Sequence, residues 1–424
     1  MEKPINIIEL SSMLNGKKHN TESREALNLL RSMYQPTGLP RTITGKPVFT
    51  VLFIASGGSE EKFLQIADSL PRPVVVVSDS FNNSLPAALE ISTWLFQNKI
   101  MFEHIYIPAI PSAADKEEIV HKLAELETIQ CGLSAISHYR IALIGGESPW
   151  LISSGTDKAN LQERYGVTFI ETETTEIAEA FYKESCVDPE SQALIQKLAP
   201  YADSLVCGNS LEEAVKFYKV LKKYIQDNKI DALTIKCFDF LTNCKTTACL
   251  ALAILNDEGT ICGCEGDIPS LWSMILAKEI CNSISFMANP SSVEFIDKSV
   301  DFAHCTAPMS IGTHNQLTTH YESGEGVGVA SQIKTGKYTL FKCGGSNLDL
   351  FYCFKGELVQ NTSVKERCRT QVKFVFKHRE ELDCYMLSYL GNHAILLPGN
   401  HKRILDKFAD MTTFHKRLNL NKHE

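Results

Sequence analysis

The stretch ICGCEGDIPSLW, Ile261 to Trp272, sets two carboxylates, Glu265 and Asp267, between small residues directly after an apolar, strand-like run. Two positions apart, they cannot share a helix face, but at the exit of a strand they can point to one side. Such a pair has two uses: it can cap the helix-like run Leu271–Ile280 that follows, or hold a metal and move a proton. Asp239 in KCFDF and Asn289 in FMANP also stand just past strand-like runs. Among the 12 histidines, His304 (FAHCTAP) and His320 (TTHYESGEG) flank glycine- or proline-bearing loops, where burial in a core explains them poorly. His393 lies at a turn-to-strand junction in YLGNHAILLPGNH, which ends at His401. Asp239, Asp267 and His393 would offer a divalent ion two carboxylates and an imidazole, and a set rich in oxygen suits hard Mn²⁺ or Mg²⁺. Spacing alone does not bring three such distant residues together, and a plain surface position is the alternative for each histidine.

Holding these side chains in one place requires a rigid frame. VFTVLFIA, RPVVVVSD and FEHIYIPA are continuous apolar, β-branched runs, separated by helical patterns such as NNSLPAALEISTWLFQNK and ADKEEIVHKLAELETIQCGLSAI. RIALIGG, VTFIETE, DALTIKC, TICGCEGD and NSISFMANP repeat the rhythm. Alternation of this kind predicts parallel α/β sheets covered by helices, with ligands at the carboxyl ends of the strands. From about Phe302 the rhythm changes to short strands divided by glycine and polar turns, which predicts an antiparallel barrel or sandwich, followed by a closing helix in HKRILDKFADMTTF. The predicted fold class is α/β: two Rossmann-like parallel-sheet domains over 1–138 and 139–300, the second carrying the carboxylates. A β-rich, barrel-like domain over 301–424 would carry the site histidine. Residues 1–45 show only an amphipathic helix, REALNLLRSMY.

Composition narrows the class. At 424 residues, 44% hydrophobic and 22% charged, the chain reads as a folded protein of two or three domains. A net charge of -8 argues against nucleic acid or an anionic membrane as partner. No apolar run reaches membrane-spanning length, the N-terminus lacks a signal-peptide layout, and 14 scattered cysteines fit a reducing cytoplasm. Gly57-Gly58 lacks the third glycine of a dinucleotide fingerprint, and Cys262 and Cys264 find no CxxC partner for structural zinc.

A series of short motifs runs in order along most of the chain from about residue 46. They are NSLPAALEI (Asn83–Ile91), IGGESPWLISS (Ile144–Ser154), KC (Lys236–Cys237), CEGD (Cys264–Asp267), AHCTAP (Ala303–Pro308), HYESGEGVGVA (His320–Ala330) and GNHAILLPGNH (Gly391–His401). With these the chain resembles the L-fucose isomerase and L-arabinose isomerase superfamily, especially its shorter fucose-isomerase-like members. The resemblance implies a metal-dependent aldose–ketose isomerase acting on a sugar through an enediol, cytoplasmic and homo-oligomeric as a trimer or hexamer. It also implies a divalent ion, usually manganese, held by a glutamate, an aspartate and a histidine. The aspartate falls on Asp267 and the histidine on His393, while Asp239 stands where the glutamate is expected. Asn289 replaces an acidic residue. On this basis Asp239 and Asp267 are the expected catalytic carboxylates, and Asp239, Asp267 and His393 the expected metal ligands. His304, Glu322, Glu265 and His320 are the expected sugar contacts, with helix-entry support as the other role for Glu265. The two departures motivate a different reading, a non-catalytic sugar-binding or regulatory relative; a third is a metal-assisted enzyme on a modified sugar.

Overall fold

Phe49–Ile54 and Val74–Asp79 are buried at every position, as β-branched runs are when helices cover both faces of a parallel sheet. The structure, a computed structural model, describes residues 3–12, 21–36, 42–43 and 46–412. It divides into two compact units: the chain up to Ser137 with the stretch beginning at Lys407, and His138–Asp406.

In the first unit five parallel strands lie in the order Tyr34–Pro36, Lys3–Leu10, Phe49–Ile54, Val74–Asp79 and Phe102–Ile107. Leu52, Ile54, Val76, Ala87, Ile91 and Leu95 share one core, which places the helix Ser84–Gln97 against the sheet. The helix expected near the N-terminus forms over Glu25–Met33. The strand Lys3–Leu10 was not legible, because its KPINIIEL mixes proline, asparagine and glutamate into a short apolar run.

The second unit begins with a four-stranded parallel sheet in the order Ile261–Cys264, Ala232–Ile235, Arg140–Ile144 and Thr168–Thr172. A closed antiparallel barrel follows, built from Phe286–Glu294, Ser299–His304, Thr370–Phe376, Leu350–Asn361, Gly336–Gly344 and Ala394–Pro398. Two parallel sheets and an antiparallel barrel are the fold class read from the sequence. One strand differs from that expectation: Phe286–Glu294, whose apolar start predicts a further strand of the parallel sheet, pairs antiparallel with Ser299–His304 and Ala394–Pro398. Its early apolar residues look alike in either setting, so only the partner decides. Phe286, Val300, Phe302, Leu340, Phe374 and Leu396 fill the barrel core.

The helix Ile268–Cys281 joins the two layers of this unit. It is apolar almost all round, and its buried residues run from Ile268 through Ala277. That pattern belongs to a helix packed on more than one side. The Ser273 hydroxyl donates to the Pro269 carbonyl (2.7 Å) and accepts the Cys343 backbone N–H (2.8 Å), fixing the helix on the strand Gly336–Gly344. Its N-terminus therefore faces groups brought in by the barrel.

Candidate metal centre and cavity

The strand Ile261–Cys264 leaves the sheet through a sharp turn in which Glu265 and Gly266 both take left-handed backbone, with φ of 61° and 73°. A Cβ on residue 266 would lie 2.1 Å from the Gly146 carbonyl oxygen, so only glycine fits there. The turn is tied down by Gly266 N–H donating to the Ile235 carbonyl and Ser148 N–H donating to that of Glu265, both at 3.1 Å. A non-glycine residue held left-handed stores strain, and Glu265 is held so at a strand end.

Asp267 starts the helix as its N-cap. Its Oδ1 accepts the Ser270 backbone N–H at 2.8 Å, and its Oδ2 accepts the Ser270 hydroxyl at 2.8 Å. The ammonium of Lys342, from the barrel strand Gly336–Gly344, lies 3.4 Å from the same Oδ2 and 2.8 Å from Ser270 Oγ. His393 Nδ1 completes the set at 2.7 Å from Oδ2. Burial works to raise the Asp267 carboxyl, but the Lys342 charge and His393 outweigh it and hold it well below the usual carboxylate range. Asp267 is thus an ionised, fully buried acceptor that makes His393 Nδ1 a donor.

With Nδ1 committed, His393 presents Nε2 as its free nitrogen. That atom is buried, has no hydrogen-bond partner, and lies 3.5 Å from Glu265 Oε1. His304 approaches the same oxygen with Nε2 at 3.8 Å, while its Nδ1 is held by the Thr306 hydroxyl at 2.8 Å. One ligand atom each from Glu265, His304 and His393 lies within 4.8 Å of the others. Burial works to raise Glu265, yet the two imidazoles more than offset it and hold the carboxyl far below its ordinary value. His304 itself is lowered, because burial outweighs the pull of Glu265; His393 is raised, because Asp267 and Glu265 outweigh burial. Any imidazolium charge in the metal-free cluster therefore sits on His393. The Glu265 carboxylate and the Nε2 atoms of His304 and His393, the latter buried without a hydrogen-bond partner, form a donor set that fits a divalent ion, and the Asp267 contact is the carboxylate–histidine support such ligands receive.

The cluster opens on a cavity of 440 Å³. Trp150 Nε1–H donates to Glu265 Oε2 at 2.7 Å, and its ring meets Phe238 edge-on at 5.0 Å. Phe238 in turn meets His320 edge-on at 5.5 Å. His320 and Glu322, both read from sequence as sugar contacts, line this cavity, as do Asn289, Glu265 and His304. The His320 Nδ1 is paired with the Ser323 hydroxyl at 3.1 Å. Burial first, then the neighbouring His304 imidazole and the Arg369 guanidinium, bring its imidazole down to about 4.

Asp239, Asp267 and His393, the trio expected to bind metal, are not the trio whose ligand atoms converge. Asp239 opens the short helix Asp239–Cys244, where it accepts from the Thr174 hydroxyl (3.3 Å) and pairs with the Lys236 ammonium (3.4 Å). Asp267 adjoins the cluster through His393 without joining it. The convergent atoms belong to Glu265, His304 and His393. His401 lies apart, its Nε2 donating to the Pro398 carbonyl at 2.8 Å. Lys342, Ser270 and Trp150 were missed. Lys342 could have been found as a lone cation inside the apolar run YTLFKCG, and Ser270 as the third residue after an N-cap aspartate.

No protein-family model matches the chain. Among curated proteins it is similar to the sulfoquinovose isomerases of Priestia aryabhattai and Priestia megaterium (strain ATCC 12872 / QMB1551), each 23% identical over 333 residues. These alignments cover 74% of this chain and 72% of each relative. The sulfoquinovose isomerase of Clostridium sp. (strain MSTE9) is 25% identical over 235 residues, covering 54% of this chain and 51% of the relative. The similarity is to proteins named as sugar isomerases. Among the described residues no helix is long and apolar enough to cross a membrane.

Proposed function

We propose that this chain is a divalent-metal-dependent aldose–ketose isomerase of the fucose-isomerase-like type. The observation that carries the reading is the convergence of Glu265, His304 and His393 beside a cavity that Glu265 and His304 line, with the orphaned His393 Nε2 3.5 Å from Glu265. These three residues would hold the ion, Mn²⁺ being the best match to the resemblance. Bound there, it would supply a positive charge that stabilises negative charge developing on the sugar oxygens.

The protein's own groups then divide the remaining work. Asp267 fixes the His393 ring through Nδ1 and is itself fixed by Ser270 and Lys342. Trp150 holds the second oxygen of Glu265, which limits rotation of that carboxylate. Isomerisation moves a proton between C2 and C1 of a 2-hydroxy aldehyde. His320 faces the cavity as a neutral imidazole near pH 7, so it can take a proton at one carbon and return it at the next. Asp267, with both oxygens engaged and no exposure, is better placed to orient than to shuttle protons.

The test is a panel of aldoses and ketoses incubated with Mn²⁺-loaded protein in D₂O and followed by NMR. Ketose formation with deuterium at C1 or C2 is the expected result. A sugar that binds but neither isomerises nor exchanges would overturn the reading in favour of a non-catalytic relative.

A further inference from the structure

We propose that Glu322 is a specificity-determining residue that excludes anionic sugars, so that the cavity selects an uncharged aldose over a sulfonated one. The proposal rests on the isomerase reading and adds the class of substrate. Glu322 lies between the hairpin strands Gly312–Thr318 and Gly328–Ile333 and lines the same cavity as Glu265. Two carboxylates therefore face one concave space.

Among the described residues lining the cavity none is lysine or arginine. The guanidinium of Arg369 instead donates to the Thr319 carbonyl and hydroxyl, at 2.8 and 3.3 Å. Sulfoquinovose, the sugar in the names of the relatives above, carries a sulfonate that stays ionised at any physiological pH. Placed in this cavity it would meet Glu322 with no lining side chain of opposite sign to compensate. An uncharged sugar meets a different wall. Its hydroxyls can donate to Glu322 and exchange hydrogen bonds with the amides of Asn289 and Asn392 and the Ser291 hydroxyl. A like charge in the lining selects by penalising the wrong ligand more than by rewarding the right one.

Isothermal titration of the Mn²⁺-loaded full-length chain with an uncharged hexitol and its 6-sulfonated counterpart tests this without relying on turnover. Wild type should bind the uncharged ligand tighter by about 10- to 100-fold, the range for one partly screened like-charge contact. Glu322→Gln should narrow that ratio by about 10-fold, and Glu322→Asp, which keeps the charge, should preserve most of it. Equal or tighter binding of the sulfonated ligand, an unchanged ratio in Glu322→Gln, or binding of neither ligand would overturn the proposal. Failure of the isomerase reading looks different: an aldose that binds and shows no deuterium exchange, whatever the ratio.

Discussion

Asp267 and His393, 126 positions apart in the chain, meet as a fully buried carboxylate and imidazole 2.7 Å apart. The contact joins the entry of a helix behind the parallel sheet to a turn leading into the last barrel strand. It decides which nitrogen of His393 is free, and so links the folding of this unit to the chemistry of its cavity.

Asp267→Asn should therefore damage stability and metal binding together. It leaves the Lys342 ammonium buried without its counter-charge, an effect of about 3–5 kcal/mol when one member of a buried pair is removed. It should also weaken metal affinity by about 10- to 100-fold, as loss of a ligand-orienting carboxylate does. Urea denaturation and Mn²⁺ titration read the two effects separately. Loss of metal affinity with full stability would mean that Asp267 is itself a ligand.

Lys342→Met tests the same pair from the other side. Alone it should destabilise the fold, because Asp267 then keeps its charge with only neutral donors and His393 beside it. Combined with Asp267→Asn it should cost less than the sum of the two single changes, since neither charge is left stranded. Strict additivity in denaturation midpoints would show that the 3.4 Å contact carries no coupling.

Gly266→Ala should be among the most disruptive single-methyl changes in the second unit. The added carbon would press on the Gly146 carbonyl at a position with φ of 73°. Because the adjacent Glu265 depends on this turn, both melting temperature and Mn²⁺ content should fall. A variant with wild-type values for both would remove the turn from the account.

The fold class could be read from the sequence because parallel strands such as VVVVSD and barrel strands such as QVKFVF carry their settings in their own patterns. The motif CEGD also marks the strand end beside which the cluster lies, but not which of its two carboxylates approaches the imidazoles. Two carboxylates on one turn differ by which way a left-handed residue throws its side chain, and no spacing rule encodes that. Asp267 reads as the chemical group because it follows the family pattern, yet its N-cap geometry commits both oxygens to Ser270, Lys342 and His393. Glu265, expected as a sugar contact or as helix-entry support, has one carboxylate oxygen 3.5 and 3.8 Å from the two imidazoles. The contribution of His304 depends on barrel closure, which sets its strand between Phe286–Glu294 and Thr370–Phe376.

The pH response of the metal-free protein should carry the signature of the two partners. His393 is raised above 6.5, because Asp267 and Glu265 outweigh burial. Its contribution to stability is full below that value and is lost as pH rises through the folded pKa. Asp267 is held well below 3.8, so its contribution is present above that value and is lost only in strong acid. A divalent ion requires the neutral imidazole. Denaturation with EDTA should thus show stability declining from about pH 6.5 upward, while the gain from added Mn²⁺ grows over the same range. A Mn²⁺ gain that shrinks with rising pH would contradict this.

His320→Asn should slow deuterium exchange at C2 by about 100-fold or more, the scale of a lost general base, while Mn²⁺ affinity stays near wild type. Unchanged exchange would move proton transfer to another group on the cavity wall.

In the proposed function Glu265, His304 and His393 hold the ion and Asp239 does not. Mn²⁺ binding isotherms for Glu265→Gln and Asp239→Asn, measured side by side with wild type, test it most directly. Glu265→Gln should lose tight binding while Asp239→Asn keeps it. Wild-type affinity in Glu265→Gln, with loss in Asp239→Asn, would contradict the account and restore the aspartate to the metal.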